Sequence, residues 1–162
     1  MKITVFYFSL TGHTKQMAEI IAKAMEEVEG VTAKALSIDE ADDPFAAESQ
    51  AIVFGTPVYM ASVCHQIHTF LQTKARAVAA GKLCGAFATE DYVHGGGETA
   101  IQEILTYCLV MGCLVYSGGG AYGAPVIHLG PVATSKDLEK YEETFRIYGR
   151  RMASKALELY SK

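Results

Sequence analysis

Short apolar runs rich in β-branched and aromatic residues alternate along this chain with longer stretches of helical period, and that alternation limits the folds open to it more than any other feature. The first run is Lys2 to Phe8. A loop from Ser9 to Gly12 follows, then a helix from His13 to about Glu29 in which Met17, Ile20, Ile21, Ala24 and Val28 recur at three-and-four spacing. Gly30 is placed to end that helix. A second strand is expected over Val31 to Ile38, and a polar surface connection over Asp39 to Ser49. A third strand, Ala51 to Phe54, is broken by Gly55-Thr56-Pro57, and a helix follows from about Val63 to Ala79. Lys82 to Thr89 reads as the fourth strand, Glu90 to Gly97 as a loop and Glu98 to Met111 as a helix. Cys113 to Tyr116 is the fifth strand, ahead of a glycine-rich excursion, Ser117 to Gly130, and a final helix from Ser135 to about Tyr160.

Strands that are apolar throughout, each returned by a helix, imply a parallel sheet covered on both faces by right-handed crossovers. The expected architecture is a single α/β domain over residues 1–162, a doubly wound five-stranded parallel sheet in a three-layer α/β/α arrangement. With 162 residues, half of them apolar and one fifth charged, the chain has enough material for one well-buried core. The formal charge of −4 offers no excess of cations for phosphate backbones, so neither nucleic acid nor an anionic membrane is an expected partner. The apolar run at the N-terminus is too short to cross a bilayer. Nothing there resembles a secretory signal, and the four cysteines, Cys64, Cys84, Cys108 and Cys113, include no Cys-x-x-Cys pair, so a reducing, cytoplasmic setting is expected. Cys108 and Cys113 are read as buried thiols serving as small hydrophobes, and no metal site is expected.

Sheets of this kind bind ligands beyond the carboxyl ends of their strands, which directs attention to the loops after strands one, three and four. In the first, Ser9-Leu10-Thr11-Gly12-His13-Thr14, three hydroxyls and a glycine meet a helix N-terminus, whose unpaired N–H groups favour an anion. An ordinary helix cap in a β-α loop accounts for the same residues equally well. The loop lacks Gly-x-x-x-x-Gly-Lys-Ser/Thr, Gly-x-Gly-x-x-Gly and a nucleophilic cysteine, and no acidic cluster ends the first strand. A phosphate monoester held by hydroxyls and amides survives these exclusions.

Three motifs carry a resemblance to a known family. Ser9-x-Thr11-Gly12-x-Thr14 resembles the FMN-phosphate loop of flavodoxins. Gly55-Thr56-Pro57-Val58-Tyr59, followed by a helix with Phe70-Leu71, is similar to the second flavin loop of the flavodoxin-like NAD(P)H:quinone oxidoreductases of the tryptophan-repressor-binding-protein type. Phe87 to Thr99, with His94-Gly95-Gly96 and Glu98-Thr99, is similar to their third. The resemblance implies the sheet order 2-1-3-4-5 and non-covalently bound FMN. It implies that Ser9, Thr11, Gly12, His13 and Thr14 hold the phosphate and that Pro57, Val58, Tyr59 and Met60 flank the isoalloxazine. Thr89, Glu90, Asp91 and Tyr92 would follow the pyrimidine edge, with His94, Gly95 and Gly96 closing the site. If Glu90 and Asp91 are ionised beside the ring, they would repel the negative charge that reduction places on it; both pointing into water is the other arrangement.

The implied activity is reduction of a quinone or a similar small acceptor with NAD(P)H as reductant, with no side chain nominated as an obligate acid or base. The alternative is an electron-transfer flavodoxin serving redox partner proteins. A homodimer through helices near the flavin edge is also an implication of the resemblance. Two departures stand out. Tyr59-Met60-Ala61-Ser62 replaces the Arg-Phe-Gly-Asn stretch usual in those reductases, and Met111 replaces a histidine that precedes a glycine after the third helix, both read as removing polar groups from the acceptor's surroundings. His65 and His68, three apart, are expected on a solvated helix face. Tyr107, Tyr116 and Tyr122 are expected in the core or an interface, Tyr122 being able to reach the flavin edge if the Gly118 to Gly123 segment folds over it.

Overall fold

A computed structural model describes residues 1–161. Five parallel strands form the sheet: β1 (Lys2–Tyr7), β2 (Thr32–Ser37), β3 (Ala51–Tyr59), β5 (Leu83–Glu90) and β6 (Leu114–Val115), in the order β2-β1-β3-β5-β6. Counting main strands only, this is the expected 2-1-3-4-5. Two short strands are additions: β4 (Ser62–Val63) folds back antiparallel on the end of β3, and β7 (Val132–Thr134) runs parallel to the last residues of β5. Helices cover both faces. On one, α1 (His13–Glu26) and α6 (Glu142–Tyr160) bury Met17, Ile21, Phe145, Tyr148 and Met152 against Ile3, Val5, Val53 and Phe87. On the other, α3 (His65–Thr73), α4 (Ala75–Ala79) and α5 (Gly97–Val110) close over Phe6, Phe54, Cys84 and Ala86. The alternation of side chains across a strand makes this division: successive residues of β1 and β3 go to opposite layers, and both layers are apolar. Among the described residues no helix is long and apolar enough to cross a membrane.

Four boundaries differ from expectation, each for a local reason. β3 does not stop at Phe54 but continues through Gly55-Thr56-Pro57 to Tyr59, paired with β5 as far as Pro57 opposite Thr89. The Phe87 ring lies where a side chain on Gly55 would stand, so this glycine serves close packing instead of a turn. β1 ends at Tyr7, opposite Gly55, so Pro57 has only one strand neighbour, a position that tolerates proline. In the connection after β2, Asp43 caps a short helix α2 (Pro44–Glu48) by accepting the Phe45 N–H at 2.7 Å, and Phe45 and Ala46 are buried. Pro44 suits the first helical position, where its missing N–H is not needed. The helix expected from Val63 to Ala79 starts two residues later, because Val63 belongs to β4, and is divided at Lys74 into α3 and α4. The last helix opens as a 3₁₀ segment, Ser135–Lys140, irregular at Asp137, before α6 begins.

Candidate cofactor site

The carboxyl ends of β1, β3 and β5 open on a cleft of about 120 Å³ lined by Leu10, Thr11, His13 and Thr14 from the first loop, Pro57, Val58 and Tyr59 from the end of β3, Thr89, Glu90 and Asp91 from β5 and its loop, and Ser135. Residues from four separate stretches of sequence therefore meet. The first loop closes on itself: Gly12 N–H donates to Ser9 Oγ at 3.1 Å, and Thr11 Oγ1 lies 3.2 Å from His13 Nδ1. Gly12 takes a left-handed conformation, φ +95°, as the N-terminal cap of α1. No side chain caps the helix and no acidic residue stands in its first turn. The N–H groups at the start of α1 are thus left for an anion. Thr14 is buried and its Oγ1 lies 2.8 Å from Thr89 Oγ1, which ties the helix start to β5.

The second loop is the hairpin between β3 and β4. Its tip, Met60 and Ala61, has left-handed backbone at φ +53° and +61°, uncommon for residues with a side chain. Two neighbours hold it there. Glu103 on α5 accepts hydrogen bonds from Ser62 Oγ (2.8 Å) and Val63 N–H (3.4 Å). Gly96, φ +97°, sits so close that a Cβ on it would lie 2.6 Å from Ala61 Cα. The third loop is fixed by Glu90, a buried carboxylate that accepts Gly97 N–H at 2.8 Å and so caps α5 from the neighbouring strand. Burial pushes the Glu90 pKa up, opposed by that hydrogen bond. Asp91 accepts from Ser135 Oγ at 2.6 Å. Glu90 is buried, whereas Asp91 is exposed and bonded to Ser135. Burial, together with the charge of Asp91, also pushes the Tyr59 phenol up, so it keeps its proton.

Of the residues nominated from sequence, Ser9 and Gly12 shape the first loop, and Gly95 and Gly96 shape the third. Met60 stands at the hairpin tip, 98% exposed, while Tyr92 and His94 also face solvent. Ser135 was missed: it follows β7, whose three residues carry no periodicity to betray them. Two other expectations need correction. Met111 ends α5, at the opposite end of the sheet, so its replacement of a histidine does not touch the cleft. Tyr122 lies against Arg151 and Lys155 of α6 instead of the cleft. His65 is exposed and His68 partly so, as expected of a solvated face, with His68 Nε2 3.0 Å from Tyr107 Oη and 3.9 Å from Glu103.

The donor set suits a flat ring bearing a phosphate: free amides and hydroxyls without carboxylates at the first loop, and apolar or aromatic side chains at the second. Residues 4–91 match the family described as a flavodoxin domain. The chain belongs to the flavodoxin family. Along its whole length this family member is 36% identical to a flavodoxin of Clostridium saccharobutylicum over 160 residues, covering 99% of this chain and 100% of that one. It is 30% identical over 196 aligned residues to an NAD(P)H dehydrogenase (quinone) of Solidesulfovibrio magneticus, with 94% and 96% covered. The crystal structure of the flavodoxin, WrbA-like protein from Agrobacterium tumefaciens superposes with a TM-score of 0.77 at 26% identity, covering 97% of this chain and 98% of that one. The fold is accordingly the FMN-binding, electron-transferring flavodoxin fold.

Proposed function

We propose that this chain carries electrons through FMN between protein partners and that residues 1–162 act as one FMN-binding domain. The observation that carries this is the rim of the cleft. Met60, Val93, Tyr92, Leu10 and Tyr59 expose large apolar side chains around it, and its lining contains no lysine or arginine. Exposed apolar side chains gathered in one place mark a contact surface. A nicotinamide dinucleotide brings a pyrophosphate that needs cations or a second free helix N-terminus. The start of α5 is occupied by Glu90. Lys136, whose Nζ lies 5.8 Å from the Tyr92 ring, adds a single charge beside the rim. The 36% identity to the Clostridium flavodoxin supports the same reading.

Ser9, Thr11 and Thr14 with the amides at the start of α1 would hold the phosphate, and His13 would border it. Pro57, Val58, Tyr59 and Met60 would flank the ring, and Thr89 to Tyr92 would follow its polar edge, with His94, Gly95 and Gly96 closing the third loop. When bound, FMN supplies one- and two-electron chemistry. The chain's own part is to orient the ring, keep water from its inner edge and present the other edge at an apolar rim. At about 120 Å³ the cleft is below the roughly 300–1,000 Å³ of common ligand pockets, so a ring seated there leaves an edge outside. NAD(P)H-driven quinone reduction is the second reading, favoured by the likeness to the Solidesulfovibrio protein.

An anaerobic titration of FMN-loaded protein separates the two. The carrier requires that NADPH and NADH leave the visible flavin spectrum unchanged over minutes while dithionite bleaches it in two resolved steps. Rapid bleaching by either nicotinamide selects the quinone reductase, and failure to retain flavin on gel filtration rejects both.

A further inference from the structure

The opposite end of the sheet holds reactive side chains that the cofactor site does not use. Cys84 stands near the start of β5, Cys108 in the last turn of α5, and Cys113 just before β6. Their three Sγ atoms lie within 4.8 Å of one another, and no histidine or carboxylate joins the group among the described residues. Cys84 and Cys108 are fully buried, Cys113 is 6% exposed, and all three are free thiols. The grouping is built by the backbone: Cys113 N–H donates to Cys108 O at 3.0 Å, and Tyr116 N–H to Cys84 O at 2.9 Å. Cys113 Sγ donates to Ala79 O at 3.1 Å. Cys64 lies apart, with its sulfur 3.6 Å from Thr56 Oγ1.

Sulfurs that share one ion at the roughly 2.3 Å length of a metal–thiolate bond lie about 4 Å apart, so movements of less than about 1 Å would close this group around a centre. Charge then selects the centre. A soft monovalent cation bound by three thiolates leaves two negative charges in an apolar core, and a divalent one leaves one and wants a fourth strong ligand that the group does not offer. Lys82 supplies no compensation inside, since its ammonium is directed to Ala47 O at 3.0 Å. A trivalent, three-coordinate, pyramidal centre leaves no net charge and needs no fourth ligand.

We propose that Cys84, Cys108 and Cys113 form a buried trithiol site for a trivalent thiophilic centre of the arsenite type. In the binding step As(OH)₃ exchanges its three hydroxyls for three sulfurs. Three As–O and three S–H bonds break, three As–S bonds form, and the three thiol protons leave with the hydroxyls as three waters. No electron changes hands. The step starts from the three free thiols, that of Cys113 carrying the proton it donates to Ala79 O. Entry is from the sheet edge, where β6 pairs with β5 over only two residue positions and Cys113 is the outermost sulfur. Local opening of such an edge is easier than global unfolding, so entry is slow but does not require it.

The test uses FMN-loaded protein kept reduced with a phosphine, incubated with sodium arsenite or with zinc sulfate, and weighed intact under native conditions. The expected product is one arsenic per chain with three hydrogens lost, formed faster in mild urea and unchanged in Cys64→Ser. Cys113→Ala and Cys113→Ser, at the outermost position, should weaken arsenite binding about 10²–10⁴-fold through loss of one arm of a chelate. Arsenite should raise the thermal midpoint of the parent protein but not of these variants. No adduct in mild urea, an adduct that has lost only two hydrogens, one that persists in the Cys113 variants or disappears in Cys64→Ser, or zinc binding in preference to arsenite would each overturn the site.

Discussion

Glu90 ends β5 with its carboxylate inside the protein, facing the first N–H of α5. Because burial raises its pKa above the ordinary 4.5, the folded state holds this proton more tightly than the unfolded chain does. The associated stability is complete below the unfolded pKa and is lost as pH rises through the folded one. Glu90→Gln retains an oxygen for Gly97 and cannot ionise. Urea midpoints measured from about pH 4 to pH 7 should therefore show the parent protein losing stability relative to the variant as pH rises; parallel curves would mean that burial does not govern this carboxylate. Tyr148 presents a different case. Its hydroxyl is fully buried without a hydrogen-bond partner among the described residues, and it occupies the space left by the missing side chain of Gly85. Tyr148→Phe should raise stability by about 1 kcal/mol in equilibrium unfolding, since it removes an unpaired polar atom and keeps the ring.

At the scale of elements, the hairpin from β3 to β4 depends on others for its shape. Its left-handed tip is held by Glu103 from α5 and by the close approach of Gly96. Glu103→Ala should weaken FMN binding about tenfold by flavin-fluorescence titration, with a stability loss of no more than about 1–2 kcal/mol, because one half-buried acceptor serving two donors is lost outside the core. That dependence explains what sequence could and could not disclose. Ser9 to Thr14 was legible because strand, glycine, hydroxyls and helix start are contiguous there. The alternation of β and α elements likewise yielded the layers, while the sheet order came with the resemblance of the three loops to flavodoxins. Gly55-Thr56-Pro57 was read as an end to β3 because the Phe87 ring that demands Gly55 comes from another strand. Ser135 depends on β7, and the Cys84–Cys108–Cys113 group on three elements meeting; neither leaves a local pattern.

For the molecule as a whole, Arg151 of α6 connects regions that sequence separates. Its guanidinium donates to the carbonyls of Gly118, Gly119, Tyr122, Gly123 and Pro125 at 3.0–3.3 Å, holding the glycine-rich excursion that leads to β7 and hence to Ser135 at the cleft. Arg151→Met should cost about 2–3 kcal/mol and open residues 118–125 to limited proteolysis, with a smaller effect on FMN affinity. Retention of the parent's protease resistance would show that the excursion holds itself. The two edges of the sheet have a further consequence. β6 offers two residues of ladder, and β2 exposes Lys34, whose ammonium lies 3.6 Å from an Asp43 carboxylate oxygen, beside the connection that carries α2. A strand from another copy would find too little backbone on one side and a charge on the other. Crowding at high expression should therefore favour dispersed molecules over edge-to-edge polymers.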